Sequence, residues 1–336
     1  MSETKPRIAV MLGDPSGVGP ELVAKLLAGA EPVDGAHLLV VGDPWVLEAG
    51  ARAAGVTLDL PRVERPENGG WVAESPALLA LDTVRPEEIT VGKATAAAGR
   101  AILTALGRCL ALARDGVVDA VLFAPLNKQA MHLAGYGFQD EMHWFAQELG
   151  HDGHFGEINV LESLWTSRVT SHVPLADVAG LIDANGVIRS IRLVHDGLRA
   201  AGHAKPRIGV AGLNPHAGDG GIFGREEIDV IGPAVEAARV DGIDAEGPFP
   251  ADTVFVRARD GKYDAVVTMY HDQGQIAMKL MGFERGVTVA GGLPVPICTP
   301  AHGTAFDIAG KGIARPDAMV AAYRIARAMG ARGASD

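Results

Sequence analysis

Arg7-Ile-Ala-Val-Met-Leu-Gly-Asp-Pro-Ser-Gly-Val-Gly-Pro-Glu-Leu-Val-Ala-Lys-Leu-Leu-Ala28 carries the reading of the fold. Ile8 to Leu12 is a short apolar run of the kind a buried strand needs, Gly13 to Pro20 is crowded with glycine and proline, and apolar residues then recur at helical spacing to Ala28. Strand, turn and helix in that order predict an α/β fold, and the pattern recurs. Residues 37–41 read as a strand before a helix over 44–54. Thr95 is a suitable N-cap for a long Ala/Leu helix to about 115 that feeds a strand at 120–123. Further strands are predicted at 158–161, 207–211, 265–268 and 287–290. Residues 60–88, rich in Pro, Glu and Arg, lack a period and read as an excursion or small hairpin of no assignable role.

At 336 residues the chain suits two domains with a shared cleft better than one. Apolar residues make up 48% and aromatics only 5%, so small aliphatic side chains fill the core, as in layered α/β proteins. A net charge of −11 without a basic run argues against nucleic acid and anionic membranes as partners. No signal peptide is read at the N-terminus, and no apolar run is expected to approach the roughly 18 residues that span a bilayer. Cys109 in a helical stretch and Cys298 in a loop-like one do not make a disulfide framework. A cytoplasmic enzyme is the expectation.

Ligands of doubly wound sheets lie beyond the C-terminal strand ends, which directs attention to the turns. Three of these carry histidine: His172 in Arg168-Val-Thr-Ser-His-Val-Pro-Leu175, His216 in Gly212-Leu-Asn-Pro-His-Ala-Gly-Asp-Gly-Gly221, and His271 in Ala265-Val-Val-Thr-Met-Tyr-His-Asp-Gln-Gly274. Three neutral imidazoles would fill three positions around a divalent ion and leave the rest open to substrate, zinc being favoured over magnesium, manganese or cobalt. Such an ion chelates a hydroxyl and a neighbouring carboxylate and lowers the alcohol's pKa as hydride departs. Asp272 and Asp252 are candidates for orienting the imidazoles or relaying the proton, against the plainer reading of turn-capping carboxylates. A second group, His143, His151 and His154, matches no compact zinc spacing and reads as surface or substrate-side histidines.

Seven segments in order, Met11-Leu-Gly-Asp-Pro-Ser-Gly-Val-Gly-Pro-Glu21, Ala124-Pro-Leu-Asn-Lys128, Ser171-His-Val-Pro-Leu175, Asn214-Pro-His-Ala-Gly218, Pro250-Ala-Asp-Thr253, Tyr270-His-Asp-Gln-Gly274 and Gly303-Thr-Ala305, resemble the PdxA family of 4-hydroxythreonine-4-phosphate dehydrogenases of pyridoxal phosphate synthesis. The resemblance implies two α/β/α domains of isopropylmalate-dehydrogenase type with a cleft between them. Residues 1–125 with 286–336 would form the cofactor side and 126–285 the metal and dimerisation side. It also implies a homodimer with the site at its interface, a metal on His172, His216 and His271 completed by the partner subunit, and NAD- or NADP-dependent oxidation of a secondary alcohol followed by decarboxylation. Asp252, Asp272 and Lys279 are the candidate catalytic residues, and Lys279 also a substrate contact.

His302-Gly-Thr-Ala-Phe-Asp-Ile-Ala-Gly-Lys-Gly-Ile-Ala-Arg-Pro316 resembles the adenosine loop of β-decarboxylating dehydrogenases, which makes His302, Gly303, Thr304, Ala305 and Asp307 candidate cofactor residues. The dinucleotide fingerprint itself is absent, because Leu22 stands where a third glycine should follow Gly17 and Gly19. The phosphate-loop pattern before Lys311 fails because Ala305 replaces its first glycine. Asp14 is then a substrate-side residue or a helix cap. Three departures from the family bear on substrate. Glu141 and Met142 replace a His-Thr pair, Thr288 stands in place of a phosphate-binding Asn, and Ile297 in place of a phosphate-binding Arg. Isoleucine offers no bidentate grip and Glu141 is expected to repel a dianion. A non-phosphorylated substrate such as a cyclic dihydrodiol carboxylate is therefore an alternative, and a non-catalytic metal or metabolite binder an alternative of another class.

Overall fold

The computed structural model describes residues 5–138 and 140–333, so the first residues of the polar lead-in and the last of the expected cofactor-side domain lie outside the described residues. Eleven strands are present among them: β1 (Arg7–Met11), β2 (His37–Gly42), β3 (Ala77–Ala80), β4 (Ala120–Phe123), β5 (Gly156–Leu161), β6 (Leu164–Arg168), β7 (Arg207–Ala211), β8 (Asp244–Phe249), β9 (Ala265–Thr268), β10 (Val287–Gly291) and β11 (Ile297–Pro300). The chain divides into two compact units, Met1–Gly153 with Leu293–Asp336, and His154–Gly292.

In the first unit the strands run β3-β2-β1-β4-β11, all parallel. Ile8, Ala9, Val10, Leu38, Leu39, Val40, Ala120, Val121 and Leu122 are fully buried, as continuous apolar strands covered on both faces require. Helix Ala96–Arg114 starts where Thr95 accepts the Ala98 N–H at 3.1 Å. By length and composition it is apolar enough to cross a membrane, contrary to the sequence expectation. Ile102, Leu106, Cys109 and Leu110 are nevertheless buried, and the helix packs on β1, β2 and β4 as a core helix does. The unit extends to Gly153 rather than stopping near 125, because helices Lys128–Leu133 and Glu141–Glu148 lie on this long helix. Gly99 permits the approach: a Cβ there would stand 1.9 Å from the Ala130 carbonyl oxygen.

Residues 60–88 hold no hairpin. They supply the parallel edge strand β3, with Trp71 buried beneath the turns that lead into it. Only four residues, Ala-Leu-Leu-Ala, form that strand, too few for a visible pattern among the surrounding charges. Cys298 likewise sits inside β11 rather than in a loop, and burial pushes the Cys109 thiol up to about 12.

In the second unit the order is β10-β5-β6-β9-β7-β8, with β10, β5 and β6 antiparallel and β6, β9, β7 and β8 parallel. Leu161, Leu164, Ala211, Val254, Phe255, Ala258, Val266 and Met278 form a buried cluster between this sheet and the helices Ala251–Arg259 and His271–Gly282. Neighbouring parallel strands end at one edge, so the chain leaves β6, β9, β7 and β8 side by side.

Candidate functional site

The segments leaving those four ends carry His172, His271, His216 and Asp252, in the spatial order of the strands. Pairing continues past the strands: the Val169 and Thr170 N–H groups donate to the carbonyls of Thr268 and Met269 at 2.9 and 3.0 Å. This brings His172 beside His271, ring centroids 5.6 Å apart. Two imidazoles on one tetrahedral zinc, with Zn–N of about 2.1 Å, have centroids about 5 Å apart. The pair therefore fits a shared ion. His271 Nδ1 lies 2.7 Å from Asp272 Oδ1 and donates to it, which leaves the lone pair of Nε2 open to a ligand.

His216 occupies the next strand end, its ring 6.2 Å from that of Phe223. Among the described residues no group of three His, Cys, Asp or Glu side chains stands ready for a metal, so the sequence-derived trio reaches one sheet edge without closing into a ligand set within the chain. Asp252 lies exposed in the first turn of helix Ala251–Arg259 and does not cap it. Of the second histidine group, His143 belongs to the first unit and its Nδ1 lies 2.6 Å from Asp140, while His154 belongs to the second.

The loop of His216 is unusual in its backbone. His216, Ala217, Gly218, Asp219 and Gly220 all have φ between 44° and 81°, a left-handed turn in which three residues are not glycine. His172 also has φ 51°. Each such residue costs about 1–2 kcal/mol, a strain that persists where surrounding bonds impose it. The sequence reading missed what imposes it here. Glu227, 4% exposed, accepts the Leu213 and Asn214 N–H groups at 2.7 Å each and Asn214 Nδ2 at 3.0 Å. Charge-assisted bonds of this kind contribute about 1.5–3 kcal/mol each, enough together to outweigh the strain.

Beside His172, Arg168 donates to Ser171 Oγ, Asn159 Oδ1 and Glu157 Oε2 at 2.9, 2.7 and 2.9 Å. Burial opposes the charge on Glu157, but Arg168 and the bond from Asn159 outweigh it, and the carboxyl stays below its ordinary range. Thr288, paired in register with Asn159, lies 3.4 Å from that amide. Gln275 donates to Asn159 as well, which turns one face of helix His271–Gly282 toward these groups. Lys279, one turn beyond Gln275, follows His271 at intervals of four residues on that face.

In the first unit the candidates gather at the ends of β1, β4 and β11. Asp14 does not cap the helix Gly19–Leu27. It is fully buried and accepts the Ser16 N–H at 2.7 Å, and among the described residues its other oxygen and the Ser16 hydroxyl have no partner within hydrogen-bond geometry. Burial raises its pKa to about 6. Thr304 is buried against this turn: its carbonyl accepts the Val18 N–H at 3.0 Å, and a Cβ on Gly17 would lie 2.9 Å from its own. Ala305 has φ 43°, His302 Nδ1 lies 3.0 Å from the Gly303 carbonyl, and Gly303 and Asp307 are exposed. Glu141 is not a bare negative charge, since Lys128 Nζ lies 3.1 Å from it, which removes the expected repulsion of a dianion. Met142 follows it, half-buried in the same helix. Ile297 is 1% exposed within β11, beside Val121, so its side chain belongs to the core rather than to an open pocket.

Comparison with known proteins bears on these loops. The family described as pyridoxal phosphate biosynthetic protein PdxA matches residues 34–326. A Pseudomonas aeruginosa protein provisionally named 4-hydroxythreonine-4-phosphate dehydrogenase 2 is 53% identical over 97% of both chains. Among solved structures, a 4-hydroxythreonine-4-phosphate dehydrogenase from Klebsiella pneumoniae aligns with TM-score 0.82 at 35% identity, covering 98% of this chain and 99% of that one. A terephthalate 1,2-cis-dihydrodiol dehydrogenase from Burkholderia xenovorans aligns with TM-score 0.69 at 31% identity, covering 96% and 98%. With a family match over most of its length and this degree of identity, the chain belongs to the PdxA family.

Proposed function

We propose that this chain is a metal- and nicotinamide-dependent dehydrogenase that oxidises the secondary alcohol of a small hydroxy acid, with decarboxylation to follow, and that a 4-hydroxythreonine-4-phosphate-like compound is its substrate. The observation that carries the reading is the adjacency of His172 and His271 at neighbouring parallel strand ends, with His216 on the next. A divalent ion bound there supplies a Lewis acid that favours the alkoxide and the enolate-like charge of decarboxylation. NAD or NADP, when bound, would supply the hydride acceptor. His172, His216 and His271 hold the ion, zinc first among magnesium, manganese and cobalt. Asp272 keeps the His271 proton on Nδ1, Asp252 relays a proton, and Lys279 meets the anionic end of the substrate. Asp14, Glu141, Met142 and Thr288 are the further substrate-side residues, and His302, Gly303, Thr304, Ala305 and Asp307 form the cofactor loop, which follows β11 at a parallel strand end.

The protein works as a homodimer in the cytoplasm. Leu175, Ile222 and Phe223, at 72%, 75% and 50% exposure, surround the His172 and His216 loops with apolar surface that a second copy would cover. A second reading, a non-phosphorylated substrate such as a dihydrodiol carboxylate, is favoured by the likeness to the terephthalate dihydrodiol enzyme. One experiment separates them: purified protein with zinc, manganese or cobalt, NAD or NADP, and each substrate, read as reduced cofactor at 340 nm. Turnover of 4-hydroxythreonine-4-phosphate supports the first reading, turnover of only the diol acid the second. Metal binding without reduced cofactor from any hydroxy acid would leave a binding protein.

A further inference from the structure

Two charged side chains of one helix hold all four backbone polar groups of two distant loop residues. Glu21 and Lys25, one turn apart in helix Gly19–Leu27, form an ion pair at 2.7 Å with side chains 2% and 20% exposed. Glu21 accepts the Gly312 and Ala314 N–H groups at 3.2 and 2.9 Å, and Lys25 donates to the carbonyls of the same two residues at 3.0 and 2.6 Å. The pair is thus satisfied by the backbone it grips, as a buried ion pair must be. Gly312 fits the grip because its φ is 75° and a Cβ there would lie 2.6 Å from the Ala53 carbonyl oxygen. The start of the same loop is fastened to the same helix: Val18, its N-cap, donates to the Thr304 carbonyl at 3.0 Å. Val18, Glu21 and Lys25 stand at i, i+3 and i+7, a single stripe, so residues 305–311 arch from one rigid base. On that arch Asp307, Gly310 and Lys311 are exposed, and a Cβ on neighbouring Gly303 would meet nothing within 4 Å. At the Thr304 end lie the buried Asp14 and Ser16 oxygens that lack a partner among the described residues. A carboxylate for ribose hydroxyls, a cation for phosphate and closely approachable backbone make a donor and acceptor set that suits a dinucleotide.

We infer that Glu21 and Lys25 are positioning residues for the nicotinamide dinucleotide: from beneath the loop they fix the arch of residues 305–311, so that it is already ordered when the dinucleotide arrives. The inference rests on the nicotinamide reading proposed above. Methionine at 25 keeps the apolar stem and loses all three bonds of the ammonium. Glutamine at 21 keeps the shape of the side chain, removes its charge and turns one acceptor into a donor that faces an N–H. A pair that only braces the fold would, once broken, lower the melting temperature and leave the dinucleotide affinity of the folded protein alone.

The test titrates the full chain with NADH and NADPH, read by nicotinamide fluorescence well below the melting temperature, with amide hydrogen exchange alongside. Wild type is expected to bind at least one of them. Lys25→Met and Glu21→Gln are expected to bind it about tenfold more weakly, with the Gly312 and Ala314 amides exchanging at least about tenfold faster and those of Ile8 and Val10 unchanged. Wild-type affinity in Lys25→Met overturns the inference alone, as does weaker binding with the Gly312 and Ala314 amides at wild-type rates. If that variant does not fold, Glu21→Gln decides by the same readouts, and loss of folding in both marks the pair as a brace of the fold, against the inference. Wild type that binds neither dinucleotide overturns the nicotinamide reading and this inference with it.

Discussion

Replacing Glu227 by alanine tests whether the left-handed turn at His216 is imposed from beneath. Its carboxylate receives three bonds from Leu213 and Asn214, worth together about 5–9 kcal/mol at 1.5–3 kcal/mol each. Against this stand His216, Ala217 and Asp219 at positive φ, a strain of about 3–6 kcal/mol. With the carboxylate present the bonds prevail. Without it the strain is unopposed, and two backbone N–H groups lose their acceptor. The loop is then expected to leave the left-handed conformation while β7 stays in the sheet. Amide hydrogen exchange reads this directly. The Leu213 and Asn214 amides should exchange at least about 100-fold faster in Glu227→Ala, equivalent to about 2.7 kcal/mol of lost local protection, and Ile208 and Val210 should be unchanged. Glu227→Gln retains an acceptor and should fall between. Leu213 and Asn214 exchanging at wild-type rates in the alanine variant would show that the turn holds itself, and the account of strain given above would be wrong.

Asp14→Asn should stabilise the protein at pH 8 by an amount on the order of 2–3 kcal/mol, keep about half of that advantage at pH 5 and lose the rest below pH 4. The folded-state pKa of Asp14 is raised to about 6, so its contribution is fully present below the unfolded value near 4 and is lost as pH rises through 6. Urea midpoints across that range check it. Ile297→Arg should not create a phosphate site but should lower stability by about 3 kcal/mol or more, because it buries an unpaired cation in β11. A lower KM for phosphorylated substrates, with the urea midpoint retained, would contradict this. Lys128→Met should raise KM for a phosphorylated substrate several-fold by exposing the charge of Glu141, and Glu141→Gln in that background should restore it. Steady-state kinetics of the two variants decide.

Much of this architecture is legible because apolar runs and turn residues alternate cleanly: β1, β4, β7 and β9 fall where the sequence reading places them. The strands it misses have particular reasons. β8, Asp-Ala-Glu-Gly-Pro-Phe, is a half-exposed edge strand with Gly and Pro inside it. β6, Leu-Trp-Thr-Ser-Arg, buries Thr166 and Ser167, whose hydroxyls donate to backbone carbonyls within the unit, so its polarity disguises it. β11 begins next to proline and holds four residues. The histidines are legible because each follows a strand and is flanked by Gly or Pro. Glu227 is not, since it stands among Glu226 and Asp229 in a helical run and nothing local says which carboxylate turns inward. The partnership of Lys128 with Glu141 is hidden for a similar reason, being set by how two short helices lie on the long one.

The second unit is one uninterrupted stretch, His154–Gly292, whereas the first needs residues from both sides of it. On the ribosome the inner piece is therefore complete, histidine loops included, while its host still lacks β11 and the helix Asp317–Gly333. That helix buries Met319, Ala322, Tyr323 and Ala326 in the first unit. Synthesis delivers the inner unit early and closes the outer one last, so a nascent chain halted once residue 300 has emerged from the ribosome would carry a complete inner unit on an unfinished outer one.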